Sequence, residues 1–201
     1  MNKFRGRPRG GSDAKDRILS AGRMLFLEHG YVATTMRAVA AAADVDAALI
    51  SYHFGSKQGL FGAAMALAIS PGQVIAQALE GDPEQVPRRI VQAVLTTWDD
   101  PELGGPLTLL LQQVQRDPVS MRTFREYVER ELVGRLAQYI GGPDATERAA
   151  TALTITLGLI MSRYVLELGP TAEMDADRIV RLLTPCLAPP FRRPGVPRTH
   201  G

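Results

Sequence analysis

The chain has 201 residues, with 45% apolar and 22% charged side chains and a formal net charge of +2. Enough apolar surface is present to offset the entropy of ordering, which excludes a wholly disordered chain. Cys186 is the lone cysteine and His29, His53 and His200 are the only histidines; this excludes an intrachain disulfide scaffold, fits a reducing cytoplasm, and points to no metal and no cofactor.

Helical spacing recurs along the chain and alternating strand patterns are nearly absent, so an all-α fold is expected. Residues 1–12 read as a disordered basic arm. Ser12 or Asp13 caps a first helix with Ala14, Ile18, Ala21 and Leu25 on one face, stopped in a left-handed turn at His29-Gly30. Thr34 caps a short helix with Met36, Val39, Ala40 and Ala43 inward. Asp44-Val45 makes a turn, Asp46 caps a third short helix to Phe54, and Ser56 caps a fourth from Lys57 to about Ile69. Residues 13–70 thus form one unit. Residues 71–188 form a second, with helices expected near 72–80, 86–99, 106–116, 118–140, 145–168 and 175–187. The breaks lie at Gly81-Asp82-Pro83, Pro101, Gly104-Gly105-Pro106, Asp117-Pro118, Gly141-Gly142-Pro143 and Gly169-Pro170. The Pro/Arg-rich stretch 189–201 reads as a disordered tail. No secretory leader is expected, since the basic start is followed by no apolar segment. The longest apolar run, Ala152 to Met161, falls well short of the roughly 20 residues that span a bilayer.

Charge is unevenly distributed. Residues 1–62 carry nine Lys or Arg against five Asp or Glu, and the remainder fourteen against sixteen. A basic first third suggests that this end meets a polyanion, although a solvated tail would look the same on charge alone. Three helices within about fifty residues, the last two very short and joined by a tight turn, match a DNA-reading helix-turn-helix. Alanines 40, 43 and 48 allow close helix crossing, and Asp44 tolerates the positive φ that the turn requires.

The run Gly30-Tyr31-Val32-Ala33-Thr34-Thr35-Met36-Arg37-Ala38-Val39-Ala40, then Ala43-Asp44-Val45-Asp46, then Tyr52-His53-Phe54-Gly55-Ser56-Lys57-Gln58-Gly59-Leu60-Phe61, resembles the tetracycline-repressor (TetR) family over residues 13–65. It departs from that pattern at Asp44, where glycine is usual, and at Ser51, where an aromatic is usual; whether Tyr52 replaces the latter stays open, because one residue is about 100° around a helix. The resemblance implies a dimer that reads a palindromic DNA operator and is released by a small organic effector. The helix from Asp46 would enter the major groove, presenting Asp46, Ala47, Ala48, Ser51 and Tyr52 beside His53. It carries none of the side chains that make strong bidentate base contacts, so Arg37 from the preceding helix and DNA shape would share the readout. Thr35, Tyr52 and Lys57 are the candidate phosphate contacts, and Thr34 is counted with the DNA-binding residues. Arg5-Gly6-Arg7-Pro8-Arg9 resembles an AT-hook core, with Arg5, Arg7 and Arg9 able to enter a narrow minor groove.

In the second unit the resemblance implies effector binding and dimerisation. Trp98, Gln112, Gln113, Met121, Phe124 and Tyr127 combine aromatic walls with amide and hydroxyl groups and are the candidate effector contacts. Leu153, Thr156, Leu159 and Ile160, with Ile179, Leu182 and Leu183, are the candidate dimer face; burial within the subunit is the competing fate of the same residues. Glu126, Glu129, Arg130 and Glu131 read equally as a solvated helix face. No phosphate loop, metal-spaced histidine pair or nucleophile elbow occurs, so an enzyme is not expected. The alternative function is a helical DNA-binding or protein-interaction module with little sequence specificity and no effector. Repression and activation are not distinguishable at this level.

Overall fold

The computed structural model describes residues 10–65 and 70–192, which form helices and connecting turns. A head comprises α1 (Gly10–Ala33), α2 (Met36–Ala43), α3 (Ala47–Phe54) and α4 (Lys57–Ala64). A body follows with α5 (Pro71–Ala78), α6 (Val86–Asp99), α7 (Pro101–Arg116), α8 (Pro118–Tyr127), α9 (Gly134–Ile140), α10 (Ala145–Ile160), α11 (Gly169–Ala172) and α12 (Ala176–Leu187). A π-helical segment, Val128–Val133, joins α8 to α9 without a break, and a second, Met161–Val165, extends α10.

The helix starts are set by side chains that satisfy otherwise unpaired amides. Asp46 accepts from the Ala48 amide at 2.7 Å, Asp100 from Glu102 at 2.8 Å and Asp175 from Arg178 at 2.7 Å; each carboxylate also sits at the positive end of its helix dipole. Asp117 caps α8 through the amides of Val119 and Ser120. The hydroxyl and amide of Ser120 hold its carboxyl below the ordinary carboxylate range. A depressed carboxyl stabilises the fold above its unfolded pKa and loses that contribution as pH falls through the folded one. The protection of the Ser120 amide, taken relative to the free-peptide exchange rate at the same pH, is therefore expected to fall on acidification below about pH 4, and Asp117→Asn should blunt that acid-dependent step.

Two cores organise the molecule. One is built from Ile18, Phe26, Tyr31, Val39, Ile50, Leu60 and Phe61 of the head together with Leu107 and Tyr127 of the body. The other lies within the body, where Val86, Ile90, Leu95, Leu136, Ala149, Ile179 and Leu187 close on one another. The head is thus packed directly on α8 by a shared apolar core and does not hang from α4 alone.

Three sequence expectations are corrected. The Gly104-Gly105-Pro106 break lies inside α7, which starts at Pro101 behind its Asp100 cap. Gly104 serves close packing instead, since a Cβ there would stand 2.1 Å from the Trp98 carbonyl oxygen. Thr35, not Thr34, caps α2, accepting from the Ala38 amide at 3.1 Å. Finally, the expected disordered tail begins too early at 189. Residues 189–191 form a 3-10 turn with Pro190 buried, Phe191 lies against Tyr139, and the Arg148 guanidinium donates to the carbonyls of Pro190 and Arg192.

Candidate nucleic-acid interface and the cavity behind it

The turn between α2 and α3 needs Asp44 in the left-handed region, with φ 52° and ψ 56°. Its amide donates to Ala41 and the Val45 amide to Ala40, closing α2 and aiming α3 outward. Glycine meets the same backbone demand without a Cβ. Asp44→Gly is expected to raise stability by about 0.5 kcal/mol in denaturant unfolding, whereas Asp44→Val should lower it by at least about 1 kcal/mol.

On α3, Ile50 is buried and Leu49 packs against the head core, leaving Ala48, Ser51 and Tyr52 exposed. Tyr52 is 83% exposed, which is unusual for so large an aromatic side chain on a folded surface. Asp46 and Thr35 stand exposed at the starts of α3 and α2, Arg37 is exposed beside them, and His53 is half-buried between the rings of Tyr52 and Phe54. Ala47 is half-buried. Thr34 does not join this surface. It is 2% exposed, and its hydroxyl faces the carbonyls of Gly30 and Leu25. Lys57 is engaged locally: its ammonium donates to the Val32 carbonyl at 3.0 Å and lies 4.7 Å from the Tyr31 ring centroid. Burial pushes its pKa below the ordinary lysine value. Arg5, Arg7 and Arg9 lie outside the described residues.

Behind the head, α8 and its π segment form a polar and aromatic junction. Thr123 donates to the Phe26 carbonyl and Glu126 accepts from the Val32 amide, each at 3.0 Å. Glu131 accepts from the Tyr31 hydroxyl at 2.7 Å and from Arg135 at 3.0 Å; Arg135 also donates to buried Gln58 at 3.0 Å, and Gln58 donates to Ser70 at 2.9 Å. Burial and the Glu131 contact push the Tyr31 phenol far above its usual pKa. Tyr127 stacks on Phe61 with centroids 4.6 Å apart and meets Tyr31 edge-on at 5.3 Å. It therefore belongs to this junction and does not line the cavity on the opposite side of the helix. Glu126 and Glu131, read from sequence as an equally plausible solvated face, point at the head, while Glu129 and Arg130 face solvent. In an α-helix residues five apart diverge by about 140°; the wider π turn lets both glutamates serve one side. No residue pattern announces that turn, so the sequence does not disclose the junction.

The opposite side of the same helix lines a cavity of about 120 Å³. Phe124, Val128 and Leu132 form one wall, and Val74, Val94, Trp98 and Leu111 contribute others. Of the candidate effector contacts, Trp98 and Phe124 are thus brought together. Gln112 is exposed on the outer surface, Met121 is half-buried away from the lining, and the Gln113 side chain lies outside the described residues. Three supposed dimer contacts, Leu153, Thr156 and Ile160, line this cavity instead. Leu159 and Ile179 are buried in the body core and Leu183 packs against it, because one helix face cannot both close the subunit and meet a partner. Leu182 alone of that set is exposed, at 52%.

Comparison with known proteins fits this two-part arrangement. Residues 18–64 match the family model described as bacterial regulatory proteins, tetR family, and residues 84–188 match the tetracyclin repressor-like C-terminal domain. The chain belongs to the TetR family. A TetR-family regulator from Streptomyces coelicolor A3 is similar at 30% identity, with 92% of this chain and 98% of that one covered and a TM-score of 0.48. NalD, the secondary repressor of the MexAB-OprM multidrug efflux pump in Pseudomonas aeruginosa, is similar at 18% identity over 89% and 98% of the two chains, with a TM-score of 0.47. A protein named "Probable HTH-type transcriptional regulator YttP" of Bacillus subtilis (strain 168) is 46% identical over 46 residues; that match spans 23% of this chain and 22% of the relative. As a TetR family member the protein is a DNA-binding transcriptional regulator, and the family is one of regulators, not enzymes. Among the described residues no helix is long and apolar enough to cross a membrane.

Proposed function

We propose that this TetR regulator is a cytoplasmic, ligand-released repressor that acts as a homodimer on an inverted-repeat operator. The observation that carries the reading is the double role of one helix. Phe124, Val128 and Leu132 line the cavity, while Thr123, Glu126, Tyr127 and Glu131, on the same helix, hold the head. A molecule that rearranges the cavity wall shifts the contacts that orient α1 and α4, so effector and operator oppose one another by linkage. The test is selection of bound duplexes from a random pool, followed by titration with cavity ligands. A recovered palindrome whose affinity falls on ligand addition supports release; uniform, salt-limited binding to any duplex supports the low-specificity alternative.

Ala48, Ser51, Tyr52 and Arg37 form the proposed base-facing surface, with Thr35 and Asp46 near the backbone. Thr35→Ala is expected to destabilise α2 by about 1 kcal/mol and to weaken operator binding. Removal of residues 1–9 with Arg5, Arg7 and Arg9 should lower affinity and make its salt dependence shallower by up to about three counterions. An unchanged salt slope would remove the arm from the interface.

For dimerisation the proposed surface is the outward side of α10 and α12. Ala150, Thr151, Thr154, Leu157 and Gly158 are exposed along α10, and Leu182 and Cys186 along α12. A two-fold pairing of these faces would set recognition helices about 34–36 Å apart, one turn of the duplex. Thr154→Arg with Leu182→Glu should yield a folded monomer by sedimentation and weaken operator binding by at least an order of magnitude; a persistent dimer would place the interface elsewhere.

A further inference from the structure

We infer that the cavity between α6, α7, α8 and α10 takes a compact, uncharged, hydrocarbon-like molecule of about one-ring size and rejects ions of the same shape. The inference rests on the ligand-released reading only for its operator arm. Among the described residues no charged side chain lines the cavity. Its polar side-chain groups are the hydroxyls of Thr97 and Thr156 and the indole N–H of Trp98, and the Thr156 hydroxyl donates to the Ala152 carbonyl at 2.9 Å, which leaves it able only to accept. Of the expected amide contacts, Gln112 faces outward. The rest of the surface is Leu, Ile, Val, Pro, Trp and Phe.

Size points the same way. Apolar cavities of roughly 150 Å³ walled by Leu, Ile and Phe stay dry and admit benzene, and this one holds about 120 Å³. Its aromatic wall is held in place, because Trp98 stacks on Tyr164 with centroids 5.5 Å apart and the Tyr164 hydroxyl donates to Asp99 at 2.9 Å. An ion entering such walls gives up its hydration and finds no counter-charge. A neutral molecule of equal size gives up only water contacts it did not favour.

Trp98 is the sole tryptophan of the chain and lies in the wall, so its fluorescence reports occupancy directly. Toluene, benzyl alcohol, benzoate and benzylammonium would be titrated into the full-length protein at pH 7. Saturable change with toluene, with benzoate and benzylammonium at least 100-fold weaker, is the expected result. Thr156→Val should remove any preference for benzyl alcohol over toluene while leaving toluene binding intact. Val74→Phe, which fills the space, should weaken toluene at least tenfold; Leu111→Phe on the α7 wall serves the same end if Val74→Phe does not fold. Charged isosteres binding as well as toluene would overturn the inference, as would toluene binding that is unsaturable or indifferent to both filling variants. Toluene that binds as expected yet leaves operator affinity unchanged would uphold the ligand class and remove the ligand-released reading.

Discussion

Gly30→Ala is expected to cost about 3 kcal/mol of stability, at the top of the range for a strained backbone position. At about 2–4 °C per kcal/mol for a chain of this size, the melting temperature should fall by roughly 6–12 °C. Gly30 interrupts α1 with φ 84° and ψ 171°, a conformation that L side chains rarely adopt. A Cβ there would also stand 2.5 Å from a carboxylate oxygen of Glu126, the group that accepts the Val32 amide. The substitution therefore strains the backbone and dislodges the contact that ties the end of α1 to α8. Operator binding should fall with stability, since Thr35 and α2 follow immediately. Truncating Glu126 in the Gly30→Ala background should recover the collision but not the backbone strain, giving partial rescue in a double-mutant cycle. Gly105→Ala is the control. It lies inside α7 with nothing within 4 Å of the added carbon, and is expected to be neutral or to gain up to about 1 kcal/mol. Equal melting of Gly30→Ala and the parent protein would contradict this account of the kink.

The contrast between Gly30 and Glu131 shows where sequence is informative about this molecule. Gly30, Asp44, Asp46 and Ser56 act through their own or nearby backbone, so the helix-turn-helix and its turn geometry are legible one residue at a time. α6 is delimited correctly at Val86–Asp99 for the same local reason. Glu131 acts on Tyr31, a hundred positions away, through a π turn that shifts the helical register. Periodicity states that a face is apolar and is silent on which neighbour covers it. Leu153, Ile160 and Ile179 accordingly read either as a dimer face or as buried within the subunit, and the structure buries Ile179 in the body core and sets Leu153 and Ile160 on the cavity wall. Thr34 and Thr35 differ by one position and equal chemistry, and only the packing of Thr34 beneath Gly30 decides which one caps α2.

Tyr127→Ala is expected to lower stability by about 3–5 kcal/mol, the range for losing a buried aromatic, and to separate the unfolding of head and body. Tyr127 is fully buried and is the body's principal aromatic contribution to the head core, against Phe61 at 4.6 Å and Tyr31 at 5.3 Å. Its removal leaves a void in the apolar core that the two units share, with Leu107 the other buried body residue there, and the polar contacts beside it are ones that water can replace. Calorimetry should then resolve two transitions where the parent shows one. Tyr127→Phe discriminates packing from hydrogen bonding. The phenol oxygen is closed to solvent and faces Gln58, Ser70 and Gly72 without reaching hydrogen-bond geometry to any of them, and burial pushes its pKa up. Removing that oxygen is expected to change stability by no more than about 1 kcal/mol and to keep the single transition. The same pair separates the two routes by which the body could control the head. If the aromatic stack transmits the state of the cavity, Tyr127→Ala loses ligand response of operator affinity and Tyr127→Phe retains it. If the polar network transmits it, Glu131→Gln should lose the response while the melting profile stays nearly unchanged, because a carboxamide still accepts from Tyr31 but no longer attracts Arg135 as a charge.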